Sequence, residues 1–441
     1  MKIVMFTPVL KASAIGRMAR LVTCELMRLG HDVLVVRSEE GDLLSQEAHD
    51  FGLAPIAWND HAAVTTATAK ADLIIYQVGD NTSFHRGCLE WLPHCPGIVC
   101  LHDFYLGHLF NGWAAHHRAE AELILRHWYG SSVAESFFEL ATSAMFMERT
   151  WEAAPMTEWI CAMATAVITH SSWGIGRLQR ACAGPVRVVP LAYDRGSVDI
   201  GQERHGGDDG EGMLNILTVG YVNANKRAAS VIRAIGSSHL LRDRVVYRLA
   251  GPIKNTIVHE LAALARNCKV RLRVMGEVDE AELSRAFQQA DIVCCLRWPS
   301  LEAASASAIE AMLYGKAIVV TDTGFYRELP NAFVTKVVAE DEAATLRSAL
   351  ERLGTDRALR NVLGELSRDW AAETFTAQNY VEEIVSMANT SARIRPVLEA
   401  TAYFRRVMAS WGNVDVGIDP ASDPRAMFLN IASADGAGPA A

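Results

Sequence analysis

The chain has 441 residues, 50% hydrophobic and 21% charged. At roughly 150 residues per domain that is enough apolar material for two or three packed cores, which excludes a disordered or fibrous protein. Forty-two basic against 51 acidic residues give a net charge of −9, so the basic surface needed for a salt-dependent grip on nucleic acid is not supplied. The nine cysteines show no C-x-x-C spacing and several sit in apolar runs, where a free thiol packs as a small hydrophobe; reduced cytosol is the compartment this implies.

The first residues, Met1 to Leu10 followed by Ala12-Ser13-Ala14, could pass for a short signal peptide, but Pro8 and Lys11 interrupt the apolar run. They read instead as a buried first strand, a turn and a helix. Short apolar runs recur at 2–8, 32–37, 72–78, 97–102, 166–170 and 186–191, most of them separated by helix-length segments. Continuous hydrophobicity, as in Asp72 to Val78, predicts strands covered on both faces, and helices between them predict parallel crossovers. The segment 1–195 is therefore expected to be a doubly wound α/β domain with a helical insertion over about 104–165.

From Gly196 to Met213 the sequence is Gly, Asp, Glu and Arg with little that is apolar, which predicts a solvated linker. Strand-like runs resume at 214–219, 245–250, 270–275, 291–296, 317–321 and 332–338, so a second α/β domain is placed at 214–375. Helices are expected over 376–411, returning toward the first domain, and a flexible tail over 412–441. No apolar stretch reaches the eighteen residues that a membrane span requires.

Parallel α/β sheets bind ligands at the carboxyl ends of their strands, so two such domains are expected to face a cleft there. After the run ending at Leu296 comes Arg297 to Met312, with Glu302 and Glu310 eight residues apart and Ser305 and Ser307 suited to a helix start. Such a start offers free N–H groups and a positive dipole end to a diphosphate, and the two carboxylates could take hydroxyls from opposite ends of one ligand. On the two carboxylates alone the better reading is an exposed helix face at Glu310 with Glu302 helping to cap the helix.

The segment Pro299-Ser300, Glu302, Ser305, Glu310-Ala311-Met312, Gly315-Lys316 and Val319 to Gly324 resembles the Glu-x7-Glu signature of the retaining glycosyltransferases of family four, bacterial type, which adopt the GT-B fold. The resemblance extends over roughly residues 2–390. It implies that Glu302 contacts the donor sugar, that Ser305 and Ala306 offer N–H groups to sugar and diphosphate, and that Glu310 holds the nucleotide ribose. After the run Leu214 to Val219 it implies a diphosphate site at Gly220 and Lys226; the family's usual Arg is replaced by Tyr221, so the second cation is either absent or comes from elsewhere, with Arg227 and Arg297 the candidates. Gly276-Glu277-Val278 is similar to the family's loop beside the base.

In the first domain the same resemblance makes Gly16 the glycine of the turn near the donor and His102 a residue near the reacting sugar. Asp103 and the stretch containing Gly79, Asn81 and His85 fall on the acceptor side. His170-Ser171-Ser172 suits a helix cap. Gly174-Ile175-Gly176 mimics a dinucleotide fingerprint but lacks its third Gly, and no His or Asp-x-Asp pattern calls for a metal.

The resemblance thus implies a metal-independent transferase with His102, Glu302 and Lys226 at the reacting centre and no cofactor. It would pass a sugar from a nucleoside diphosphate sugar to a glycan, lipid-linked or small-molecule acceptor, for example in polysaccharide biosynthesis. The rival is a non-catalytic nucleotide-sugar or polysaccharide-binding protein on the same fold. Phe104, Tyr105, Leu109, Phe110 and Trp113, ahead of Arg118, Arg126, His127 and Trp128, suggest a peripheral contact with the inner face of the membrane, although an aromatic face at helical spacing also suits a core.

Overall fold

The computed structural model describes residues 1–142, 145–194 and 212–410; nearly all of the expected linker and the whole of the expected tail lie outside them. The chain divides into two compact units, Met1–Ala192 with the chain from Ala377 onward, and Tyr193–Thr376.

The first unit is built on a seven-stranded parallel sheet of β1 (Lys2–Thr7), β2 (Asp32–Arg37), β3 (Ile56–Ala57), β4 (Leu73–Val78), β5 (Ile98–Leu101), β6 (Ala166–Thr169) and β7 (Val186–Val188), in the order β3-β2-β1-β4-β5-β6-β7. Strand β1 lies between β2 and β4, with Ile3 opposite Val33 and Leu73. All six residues of β4 are buried, as expected of a central strand covered by helices on both faces. Strand β3, two residues long at the edge, carries too short an apolar signal to be read from sequence.

Between β5 and β6 the insertion forms helices Gly107–Ala114, Arg118–Tyr129, Ser131–Leu140, Phe146–Thr150 and Thr157–Cys161. Its aromatic residues make a core of their own: the Phe110 ring lies 5.6 Å from Phe137 and 5.0 Å from Trp159, and Trp113 lies 4.9 Å from Trp159. Phe104, Tyr105, Leu109, Phe110 and Trp113 are all buried, so this face packs inward and is not available to a bilayer. Arg118 lies over Phe138 and pairs with Glu122. The helices Ala377–Ser386 and Ala388–Ser410 return to the first unit, where Ser391 and Thr165 share a hydrogen bond of 2.6 Å.

The second unit holds a six-stranded parallel sheet of β8 (Leu214–Val219), β9 (Val245–Ala250), β10 (Arg271–Gly276), β11 (Ile292–Cys295), β12 (Ala317–Thr321) and β13 (Thr335–Val337), in the order β10-β9-β8-β11-β12-β13. The order reverses between β8 and β11, so the loops after these two strands diverge and leave room for a ligand. Among the described residues no helix is long and apolar enough to cross a membrane.

Candidate active site

The loop after β8 turns at Gly220, whose φ of +93° suits glycine and whose missing side chain leaves room for Lys226: a Cβ there would lie 2.8 Å from Lys226 Nζ. Asn223 caps the short turn Ala224–Lys226 and aims the Lys226 side chain back under the loop, where Nζ donates to the Val219 carbonyl at 2.6 Å. Lys226 is buried. Burial, then the Arg297 charge, lowers its pKa to about 7 against the opposing pull of Glu302.

The loop after β11 brings Arg297 to the same place. Its Nε donates to Glu302 Oε1 at 3.0 Å and its Nη1 to the Leu296 carbonyl at 2.8 Å, while its backbone N–H donates to Thr321 Oγ1. The Arg297 side chain is 4% exposed and that of Glu302 32%, so Glu302 is the member of the pair that a ligand can reach directly. Burial pushes the Glu302 carboxyl up, but Arg297 and Lys226 outweigh it and hold the group below its ordinary range. Tyr326, just beyond β12, donates its hydroxyl to Glu302 Oε2 at 3.2 Å; its place after a strand was the only sequence signal for it.

Three residues on, Ser305 caps the helix Ala306–Leu313 by accepting from Ala308 N–H at 3.3 Å. Glu310 lies a turn inside that helix, buried, and accepts from the Tyr193 hydroxyl at 2.9 Å. Lys226, Arg297, Glu302 and Tyr326 thus form one cluster beside the helix start, and Glu310 lies on the helix itself. Of the two proposed second cations, Arg297 adjoins Lys226 whereas Arg227, at φ +56°, turns to Glu342 in a two-pronged ion pair of 2.9 and 3.0 Å. Gly276, at φ +73°, accepts from Gly251 N–H, and Glu277 is exposed.

In the first unit, Gly16 is required by the chain itself, because a Cβ would lie 2.8 Å from the Pro8 carbonyl. The loop it abuts is held by the buried Glu39 carboxylate, which accepts from Val9 and Leu10 N–H at 2.7 and 2.8 Å and was not anticipated. Gly79, His85 and Asp103 converge: Gly79 N–H donates to His85 Nε2 at 3.1 Å, and Asp103 accepts from Asp80 N–H at 2.8 Å. Asn81 instead caps the helix Thr82–Trp91. Asp80 in turn holds the half-exposed His108, Oδ2 to Nδ1 2.6 Å, which raises the imidazole pKa.

His102 has both ring nitrogens engaged, Nε2 with the Gln77 carboxamide at 2.7 Å and Nδ1 with His170 Nε2 at 3.3 Å. The Val189 carbonyl can only accept, so His170 Nδ1 carries a hydrogen, and a neutral His170 then accepts from His102 Nδ1–H. His102 Nε2 is left as an acceptor and needs a donor. The Gln77 NH2, buried without a partner on the far side of its amide, supplies one when the amide is turned over. Burial keeps His170 and His85 neutral, each lowered to about 4, and burial, then the neighbouring His170 and His85, holds His102 well below its ordinary value. His170 is therefore a partner of His102 and not the helix cap that sequence suggested, and His102 can act on a substrate only by giving up a protein partner.

Residues 204–370 match the model of glycosyl transferases group 1. The second unit is thus similar over most of its length to the glycosyl transferases group 1 model. No curated protein matches the chain. Among solved structures it is similar to HepE of Anabaena in complex with UDP-glucose, at 15% identity and a TM-score of 0.58, covering 88% of this chain and 100% of that one. A glycosyltransferase from Rickettsia africae matches at 13% identity and a TM-score of 0.60, over 88% and 98% of the two chains. Sucrose-phosphate synthase of Thermosynechococcus elongatus matches at 14% and 0.54, over 92% and 99%. The two parallel-sheet units are the Rossmann-like domains of the GT-B fold. Among the described residues, no group of three His, Cys, Asp or Glu stands close enough together to hold a metal ion.

Proposed function

We propose that the protein is a retaining, metal-independent glycosyltransferase that moves a sugar from a nucleoside diphosphate sugar to a glycan, lipid-linked or small-molecule acceptor. The observation that carries this reading is the Lys226–Arg297–Glu302 cluster beside the Ser305-capped helix start of the second unit. HepE, of similar fold, was solved with UDP-glucose, and a nucleotide sugar of that kind is the expected donor. It is the substrate, and the scheme needs no resident cofactor.

As the bond from sugar to diphosphate lengthens, positive charge gathers on the sugar and negative charge on the leaving oxygens. Lys226, Arg297 and the N–H groups at Ala306 are disposed to offset the latter, the kind of preorganised electrostatic help usually worth most. Glu302 accepts hydroxyls of the transferred sugar and Glu310 those of the ribose, with Gly276, Glu277 and Val278 beside the base. The acceptor attacks from the face the diphosphate leaves, so configuration is kept and a phosphate oxygen takes the acceptor's proton. Gly79, His85 and Asp103 then belong to the acceptor side, with the reaction on the cytoplasmic side of the membrane.

The test is incubation with a panel of UDP- and GDP-sugars and candidate acceptors, with a chelator present, following nucleotide release and the anomeric configuration of the product by NMR. Transfer with retention is expected. Inverted product, or activity that the chelator abolishes and magnesium restores, overturns the mechanism. Tyr221 in place of the expected Arg favours the non-catalytic reading, which gains if nucleotide sugars bind and no product forms.

A further inference from the structure

A second concave place lies apart from the residues discussed for transfer, none of which lines it. In the first unit, between the insertion and the segment after β6, lies an open hollow of about 390 Å³. Phe104, Trp151 and Trp173 form its aromatic wall, and Glu152, Arg177 and Arg180 its polar rim. The Phe104 and Trp173 rings lie 4.3 Å apart, and the Trp151 and Trp173 rings 6.3 Å apart at 28°. Both indoles remain half-buried, so each keeps surface toward the hollow.

The wall is held in place. Gly174 has φ +75°, and a Cβ there would lie 2.0 Å from the Phe104 ring, so glycine lets Phe104 close against the turn. Arg177 is clamped by Glu158 Oε1 at 2.9 Å and by the Glu152 carbonyl at 2.8 Å. Tyr129 fixes Glu158 in turn through a hydrogen bond of 2.6 Å. Arg180 is exposed, and among the described residues it has no ion-pair or hydrogen-bond partner. Preformed walls with a few oriented polar groups mark ligand sites rather than packing faults.

We propose that this hollow binds a saccharide, with the C–H face of a pyranose ring laid on Trp151 and Trp173 and its hydroxyls hydrogen-bonded by Arg180 and Glu152. Two indoles alone would suit any flat apolar group. The rim is what selects a sugar: it offers a planar multi-donor cation and a carboxylate acceptor to a ligand whose edge is all hydroxyls, and the opposite charges of the pair leave no strong preference for an ionic ligand. Phe104 follows Asp103 directly and Trp173 lies three residues beyond His170, which bonds His102, so on the glycosyl-transfer reading, on which this one step rests, the saccharide is a part of the acceptor remote from its reacting unit.

The experiment is saturation-transfer difference NMR on the full chain with methyl pyranosides and maltotriose, mannotriose and chitotriose, repeated on Trp151→Ala and Arg180→Ala, with UDP binding measured on all three proteins. At least one saccharide should bind the wild type, and its affinity should fall about tenfold or more in each variant while UDP affinity stays the same. Arg180 bears on no packed core, so its variant keeps the test open if Trp151→Ala fails to fold. Absence of binding by every saccharide, or binding unchanged in Arg180→Ala, overturns the proposal. Saccharide binding that depends on Arg180 in a protein that binds no nucleotide sugar upholds the hollow and overturns the transferase reading instead.

Discussion

A buried lysine with a pKa near neutrality makes diphosphate binding depend on pH in a calculable way. Lys226 titrates at about 7, against an ordinary lysine value near 10.5, so above neutrality the unliganded protein holds it uncharged. A diphosphate seated beside Nζ favours the charged form, and binding must then take up a proton. If only the protonated form binds well, affinity scales with the protonated fraction, which is half at pH 7 and about one part in a hundred at pH 9. UDP should therefore bind roughly 50-fold more weakly at pH 9 than at pH 7, since the terminal phosphate of UDP is already largely doubly ionised over this range. Calorimetry in two buffers of different ionisation enthalpy should count about half a proton taken up per UDP at pH 7 and about 0.9 at pH 8. Lys226→Met should weaken binding at pH 7 and flatten the profile. Constant affinity from pH 7 to 9, or the same slope in the Met variant, would refute the placement of Lys226 against the diphosphate.

Three further outcomes are expected. Glu310→Ala should weaken nucleoside diphosphate binding by roughly tenfold or more through loss of the ribose contact, measured by calorimetry; unchanged UDP affinity removes Glu310 from the site. Arg297→Met should lower stability by about 2 kcal/mol in urea melts, less than a fully buried pair because Glu302 keeps contact with water. Arg227→Met strands the buried Glu342 carboxylate and should cost about 2 kcal/mol or more, yet leave UDP affinity within about twofold; an equal loss of UDP affinity in the two variants would undo the choice of Arg297 as second cation. His85 and His170, held neutral to about pH 4, bind fewer protons than the unfolded chain below about 6.5. The stability they contribute is therefore full above 6.5 and is lost as pH falls toward 4; a melting temperature flat across that window would contradict their burial.

The fold was readable because its signal is local. Runs such as Leu73–Val78 are apolar at all but one position, which suits a strand covered on both faces, and ten of the twelve expected runs differ from the observed strands by at most one residue at either end. The insertion was readable as helical, but not for which face its aromatics occupy: Phe110 and Trp113 pack on Phe137 and Trp159, partners some 25 to 50 residues away, and such pairing leaves no trace in local periodicity. The site divides in the same way. Ser305 as cap and Glu310 within the helix follow from spacing, whereas the choice between Arg227 and Arg297 turns on Glu342, more than a hundred residues downstream. His170 looked like a cap because a Ser pair follows it, and only the neighbouring strand β5 brings it to His102.

The cations of the candidate site are not idle before the donor arrives, and this has a consequence opposite to the usual effect of removing a site residue. Arg297 is already spent on Glu302, so a diphosphate that draws on Arg297 competes with that carboxylate. Glu302→Gln removes the competitor and keeps the shape. UDP, which carries no sugar for Glu302 to contact, should then bind more tightly to the variant at about pH 6, by several-fold, while sugar transfer slows. The gain has a second side: Glu302 also helps keep Lys226 charged, so its loss lets Lys226 shed its proton at lower pH, and the advantage should shrink by about pH 8. Tighter UDP binding at the lower pH with a smaller gain at the higher one supports a cluster whose charges trade partners on binding. Weaker UDP binding at both would mean that Glu302 organises the cations for the diphosphate rather than competing with it.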